Sequence, residues 1–332
     1  MGNIDAPGER VYFSCMALPV RRAEPAPRAG DAPHARANVW LTDLSLLLMA
    51  LIWGVNYAVV KYGTELLAPL AFNSVRVTLA AVLLLVVSLF ARRLAGSGPL
   101  HRPERRDVVA LLGLGALGNG VYQVFFVEGI ARTRAGDAAL VIAAAPAFIA
   151  LIGRLRGTER VGGRGLAGIA LSIAGIALVV FGSTGGSNAR HATLLGDCLI
   201  LCGTLCWSVY TVYLQPYTHR VSGLQLSAIT MVGGAVPLLV VAAPVLAATA
   251  WPQVSGRAWL ALGYSGVFAL VVAYLFWYRG VRVIGPTRTA MYANLQPIFA
   301  VTVAWLTLGE SPTVWQGLGA ASIMSGLLLT RA

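Results

Sequence analysis

The sequence predicts an all-α integral membrane protein, with ten transmembrane helices built as two inverted five-helix repeats. Three observations predict it. Ten apolar runs each come close to the length of about 20 residues that crosses a bilayer as a helix. Arginine and lysine gather on alternate loops between those runs. Landmark residues of the first half recur in the second at a fixed offset.

The composition excludes a soluble domain. The chain is 57% hydrophobic and 11% charged, with a mean hydropathy of +0.73, whereas soluble domains carry about 25% charged residues. The net charge of +12 and pI near 10.1 do not point to nucleic acid. Twenty-four of the 25 basic residues are Arg, and they lie in short clusters between apolar runs. No basic surface interleaved with aromatics is visible. The lipid bilayer is the expected partner.

Residues 1–38 are rich in Pro, Ala, Gly and Arg without a sustained period, and predict a disordered cytoplasmic tail. Its apolar stretch Val11–Val20 is short and preceded by Asp5 and Glu9, unlike a signal peptide. Arg21-Arg22 is followed by Glu and Pro, and the start lacks the Ser or Thr of a myristoylation site. Met1 and Met16 both remain open as the start.

The first repeat, 40–182, holds spans at 44–62, 70–90, 108–130, 136–153 and 164–182. The second, 195–331, holds spans at 195–215, 224–247, 258–278, 289–308 and 313–330. Hydrocarbon offers the backbone no hydrogen-bond partner, so continuous runs of this length form helices. Strands of a β-barrel would alternate over about 10 residues, and these runs do not.

With the N-terminus in the cytoplasm, the loops on that side and the two termini hold 19 Arg and Lys residues against five opposite. The five are Lys61, Arg132, Arg134, Arg190 and Arg257, while Arg76 lies inside the second span. The split places both termini in the cytoplasm and predicts a multi-pass protein of the inner membrane.

At an offset of 151, Gly129, Pro146 and Glu159 meet Gly280, Pro297 and Glu310. Val121, Phe125 and Phe148 meet Val272, Phe276 and Phe299. At 154, Asp43, Trp53 and Val55 meet Asp197, Trp207 and Val209. Each copy holds an odd number of spans, so the second enters from the opposite side. Inverted repeats are a common architecture of secondary transporters, because related halves that exchange conformations alternate access to a site between them.

Trp53-Gly54-Val55-Asn56, the Pro69 and Arg76 pairing, and Pro146 and Pro297, each followed after thirteen residues by Glu159 and Glu310, carry a resemblance. The chain resembles the drug/metabolite transporter superfamily, specifically its EamA-type ten-helix exporters, over 40–331. It departs from that pattern at Gly157-Thr158-Glu159, where the family shows a Gly-Glu pair; Gly309-Glu310 keeps it. The resemblance implies export of amino acids, nucleobase-like metabolites or drugs, often in exchange for protons, through a cavity between the halves.

Arg76 is the outstanding intramembrane charge, costing about 2.5–3.5 kcal/mol at mid-helix on insertion scales. It either anchors a substrate carboxylate bidentately or pairs structurally with helix carbonyls or Asn73. Trp53 and Asn56 share a face of span one, and Trp207 and Tyr210 are their counterparts. Asn119, Tyr122 and Gln123, with Phe126, form a polar-aromatic face on span three, and Asn294 and Gln296 precede Pro297. Each either lines a cavity or joins helices. Pro146 and Pro297 are the expected helix breaks.

Glu128, at the end of span three, is the proton-coupling candidate. Asp43 and Asp197 are expected to cap helix starts. Glu159 and Glu310 are expected to bind loop or helix-end donors. The glycines from Gly113 to Gly120 read as helix packing and not as a phosphate loop.

Cys198, Cys202 and Cys206 share one helix face and read as small packing residues. No metal or cofactor is expected. The four histidines fall in polar segments and no HExxH or paired intramembrane Asp appears, so no catalytic residue is assigned. A flippase for lipids or lipid-linked sugars is the alternative to a small-solute transporter.

Overall fold

The computed structural model describes residues 32–94, 103–157, 162–182, 187–284, 289 and 292–331. The readings on residues 1–31, Glu159, Arg160 and Arg288 lie outside them. Contacts divide the chain into Met1–Asn38 and Val39–Ala332, and the long apolar helices belong to the second unit.

Every described regular element is helical. α1 (Ala32–Leu66) and α2 (Pro69–Leu94) are joined by a two-residue turn. The third apolar run is α3 (Arg105–Gly115), a π-helical segment (Ala116–Val121) and α4 (Tyr122–Arg132). The fourth is α5 (Ala135–Ala143) and α6 (Ala145–Leu155), and α7 (Gly163–Gly182) follows. Next come α8 (Ser187–Leu214) and α9 (Gly223–Ala248). The eighth run is α10 (Gly256–Gly263), a second π-helical segment (Tyr264–Val272) and α11 (Ala273–Ile284). α12 (Gln296–Leu308) and α13 (Val314–Arg331) close the chain.

Eight helical runs among the described residues are long and apolar enough to cross a membrane. The last two helices, Gln296–Leu308 and Val314–Leu329, are shorter. The ninth predicted span, 289–308, is not one continuous helix, because a turn at 294–295 interrupts it. Pro297 is the cause. Proline has no N–H and its ring clashes with the carbonyl one turn earlier, so Leu295 turns tightly (φ −79°, ψ −16°) and bonds Tyr292 three residues back. Pro146 does the same in the first half: Ala144 (φ −82°, ψ −1°) bonds Val141 and separates α5 from α6.

The offset read from the sequence therefore reappears as geometry. Ala144 and Leu295 are 151 positions apart, and so are Val121 and Val272, where the two π-helical segments end. Gly157 and Gly309 both adopt positive φ (70° and 68°) at helix C-termini, a conformation glycine takes without a Cβ clash.

α7 and α13 pack along a glycine seam. A Cβ on Gly175 would lie 2.8 Å from the Gly319 carbonyl oxygen, and one on Gly326 would strike the Gly168 carbonyl. Ser172 Oγ donates to the Ile323 carbonyl and Ser322 Oγ to that of Leu171, both at 3.4 Å. Position numbers rise on α7 as they fall on α13, so the two helices run antiparallel. α2 packs on α9, and α4 on α8. Large apolar side chains such as Phe90, Val240, Leu260 and Leu306 point outward, a surface suited to lipid and not to water.

Asp43 and Asp197 do not begin helices. α1 and α8 start at Ala32 and Ser187, so both acids lie inside, and capping is excluded for them. Cys198 and Cys202 are exposed on α8 and only Cys206 is half-buried, so the cysteine stripe is not the packed face that its spacing suggested.

Candidate functional site

Arg76, on α2, is 1% exposed and surrounded by neutral partners. Its Nε donates to Asn73 Oδ1 (2.8 Å), one turn earlier on the same helix face. Nη1 donates to Ser265 Oγ (2.7 Å) in the second π-helical segment, and Nη2 to Gln123 Oε1 (2.5 Å) on α4. Asn73 Nδ2 in turn donates to the Gln123 carbonyl at 2.9 Å. The guanidinium stands 5.4 Å from the Phe126 ring centroid. Among the described residues no carboxylate pairs with it. The network gives each guanidinium nitrogen one acceptor but leaves the charge without a counter-ion among the described residues.

A chain of aromatic rings reaches this cation through Phe126. Trp53 and Trp207, counterparts in the two halves, both abut Tyr274, with centroids 5.8 and 6.4 Å away. Trp207 also touches Tyr122 (5.4 Å) and Tyr210 (5.2 Å), and Tyr122 stacks on Phe126 (5.9 Å). Trp53 Nε1 donates to the Ala269 carbonyl (2.9 Å) within the π-helical segment. Tyr210 OH donates to Thr230 Oγ1 at 3.3 Å. Asn56 Oδ1 and both amide atoms of Asn119 are buried without a well-formed hydrogen bond, although the Tyr210 hydroxyl lies within electrostatic reach of Asn119.

The structure thus joins Arg76 with Gln123, and Trp53, Tyr122, Trp207 and Tyr210 with one another. Asn294 and Gln296 stand half-buried at the α12 break and share no hydrogen bond or ring contact with this set among the described residues. A Cβ on Gly54 would collide with Phe299 and lie 3.0 Å from the Gln296 carbonyl oxygen, so the break is where α1 closes on α12. Ser265 and Tyr274 went unrecognised in the sequence. Tyr274 had a signal, being the counterpart of Gln123 at the 151 offset; Ser265, opposite Leu114, had none.

Glu128 forms an ion pair with Arg132, one turn later, and among the described residues shares no hydrogen bond or ion pair with Arg76. Gly115, Gly118 and Gly120 seat the third run against Thr230, Tyr210 and Gly234, while Gly113 meets nothing within 4 Å. Among the described residues no three metal-ligating side chains converge.

The helix ends divide into two groups. At one end Lys61 Nζ donates to the Thr133 carbonyl (2.6 Å), and Thr133 Oγ1 donates to Asp197 Oδ1. Gln316 Nε2 donates to Asp137 Oδ1 (2.7 Å), and Arg134 to the Ser311 carbonyl. The Glu310 carboxylate accepts from the Ala135 and Gly136 amides at the start of α5 (3.2 and 3.5 Å), the helix-end role read for it from the sequence. At the other end Arg220 pairs with Asp107 (3.7 Å), Arg156 lies 4.0 Å over Tyr213, and Arg279 reaches Thr42 (3.5 Å).

Comparison with known proteins places this geometry. The profile of the EamA-like transporter family matches residues 40–181 and again 194–332. An uncharacterized inner membrane transporter of Escherichia coli, YedA, is 32% identical over 83% of this chain and 86% of its own. The uncharacterized transporter YyaM of Bacillus subtilis is 26% identical over 86% and 92%. A probable terminal-alkyne amino-acid exporter of Streptantibioticus cattleyicolor is 27% identical over 86% and 91%. A crystal structure superimposes with a TM-score of 0.60 at 19% identity, covering 87% of this chain and 96% of the other, a likeness of fold. Two matches to one family, on a chain whose described residues hold eight membrane-length helical runs, identify a multi-pass membrane transporter of small-molecule solutes and not an enzyme: the chain belongs to the EamA-like transporter family.

Proposed function

We propose that the chain is a secondary transporter that exports a small carboxylate-bearing metabolite, such as an amino acid, by alternating access. The single observation that carries this reading is Arg76: a buried, permanently charged guanidinium, held in place by Asn73, Gln123 and Ser265 and without a counter-ion among the described residues. A solute carboxylate supplies the missing negative charge. The rings of Trp53, Tyr122, Trp207 and Tyr274 offer its apolar part a dry wall, and Asn56 and Asn119 offer unspent polar atoms. The similarity to a probable amino-acid exporter supports this class of solute.

Ten crossings in two inverted halves, 40–182 and 195–331, with both termini cytoplasmic, supply the movement. The antiparallel register of α7 and α13, the matched helix breaks and the matched π-helical segments support that arrangement. So does the position of Glu310 at the start of α5 while Arg156 follows the end of α6.

The test is counterflow of radiolabelled amino acids into proteoliposomes. The Arg76→Ala variant loses carboxylate-bearing solutes by at least tenfold and Arg76→Lys loses less. Equal rates for wild type and Arg76→Ala overturn the assignment.

A further inference from the structure

We propose that Asp197 is the site that binds and releases a coupled proton, in concert with Asp137 across the interface between the halves. The inference rests on the transporter reading for its purpose, but the site is argued from its own atoms.

Asp197 is fully buried on α8. One carboxylate oxygen, Oδ1, accepts the Thr133 hydroxyl; the other, Oδ2, is buried with no partner. An ionised carboxylate needs donors or cations on both oxygens when water is excluded. Asp137 of α5, a second buried acid, stands within electrostatic reach. Its own Oδ1 takes the Gln316 amide, and it lies in the first turn of a helix, where a negative charge is met by backbone N–H groups. Two carboxylates sharing a dry patch do not both stay charged. The one with an orphaned oxygen is the one that takes the proton.

The cations nearby are committed elsewhere. Lys61 of α1 spends its ammonium on the Ala131 and Thr133 carbonyls. On α4, Arg132 pairs with Glu128. The charged residues of the other elements packed on α8 (Arg105, Arg106 and Asp107 of α3, Arg154 of α6, Arg164 of α7) lie at the far ends of their helices. A metal ion is a poor occupant, because the Gln316 amide and the Thr133 hydroxyl both point donors at the acids and no three metal-ligating side chains converge among the described residues. The orphaned Oδ2 of Asp197 suits one proton.

The position links protonation to movement. Asp197 and Gln316 belong to the second half, and Thr133 and Asp137 to the first. Their bonds close the same end of the bundle as the Glu310 contact to α5. Opening that end separates these pairs and wets Asp197; closing it again buries Oδ2, which favours the neutral acid.

Infrared difference spectroscopy of the full chain in lipid vesicles tests this without any solute. Wild type shows a protonated-carboxyl carbonyl stretch that appears and disappears with pH. Asp197→Asn, a change of nearly equal size, abolishes it; Glu128→Gln keeps it; Thr133→Val, which removes the one hydroxyl donor, shifts its frequency. A band that survives in Asp197→Asn, or is lost in Glu128→Gln, overturns the proposal. In proteoliposomes with a pH gradient, wild type concentrates a radiolabelled amino acid severalfold, whereas Asp197→Asn exchanges it but brings it only to equal concentration. Gradient-driven accumulation by Asp197→Asn also overturns it. A titrating band in a protein that moves none of the amino acids overturns the proposed solute class and leaves the proton site standing.

Discussion

Ser172 donates its hydroxyl to the carbonyl of Ile323, the residue 151 positions later that is its own counterpart in the second half. Leu171 and Ser322, also 151 apart, meet beside them. Residues at matching positions of the two halves thus meet directly where α7 and α13 cross. The seam is narrow because glycine lines it: Gly168, Gly175, Gly319 and Gly326 let the two backbones approach as small residues do in lipid, where packing and not water drives helix association.

Filling that seam is costly. Gly319→Val puts a branched side chain against Val179 and the Gly175 carbonyl, and is expected to destabilise by about 1–3 kcal/mol. Gly113→Ala, inside a helix with open space around it, does not lower the thermal unfolding midpoint in detergent. Equal midpoints for the two variants would refute the seam.

Gly54 is the equivalent close approach between α1 and the broken start of α12. Gly54→Ala drives a methyl group into Phe299 and the Gln296 carbonyl, so a loss of about 1–3 kcal/mol is expected. Phe299→Ala keeps the Cβ that the methyl group meets, so the double variant should recover none of the loss; recovery would show that the ring and not the backbone approach sets the limit.

Gln123 is predicted to matter through Arg76. Gln123→Leu keeps the volume but strands Nη2 of a buried cation, and leaving such a donor unmet costs about 1–3 kcal/mol. A double-variant cycle with Arg76→Met measures the coupling: the pair should be less destabilised than the sum of its singles, and strict additivity would show that the bond contributes nothing.

Labelling tests the inverted arrangement. On a cysteine-free background, Arg156→Cys and Ser311→Cys should react with impermeant maleimide from opposite faces of the membrane, Arg156→Cys from the cytoplasm. Reaction of both from one face would defeat the two-way insertion and the carrier mechanism built on it.

Much of the helix pattern was legible in the residues because burial in lipid leaves a coarse mark: long apolar runs and alternating Arg clusters. The breaks at Pro146 and Pro297 were legible too, since proline acts on its own turn. The length of the ninth helix was not, because Pro297 cuts an apolar run that composition alone reads as continuous. Asp43 and Asp197 looked like helix starts only because hydropathy rises there, while the helices already begin upstream in polar sequence. Arg76 declared itself as a charge within an apolar run, but Ser265, 189 positions away, looked like any small residue of a membrane helix.

By itself the sequence determined that this chain lives in a bilayer, where most of its apolar helical runs lie, and that its second half repeats the first. Those properties depend on local composition and spacing, which a chain carries before it folds. Tertiary structure alone decided which polar atoms meet: Arg76 with Gln123 and Ser265, Asp197 with Thr133, Glu310 with the start of α5. Such pairings join residues 47 to 189 positions apart, and they exist only once packed helices bring those atoms within bonding distance in a medium that offers them little else.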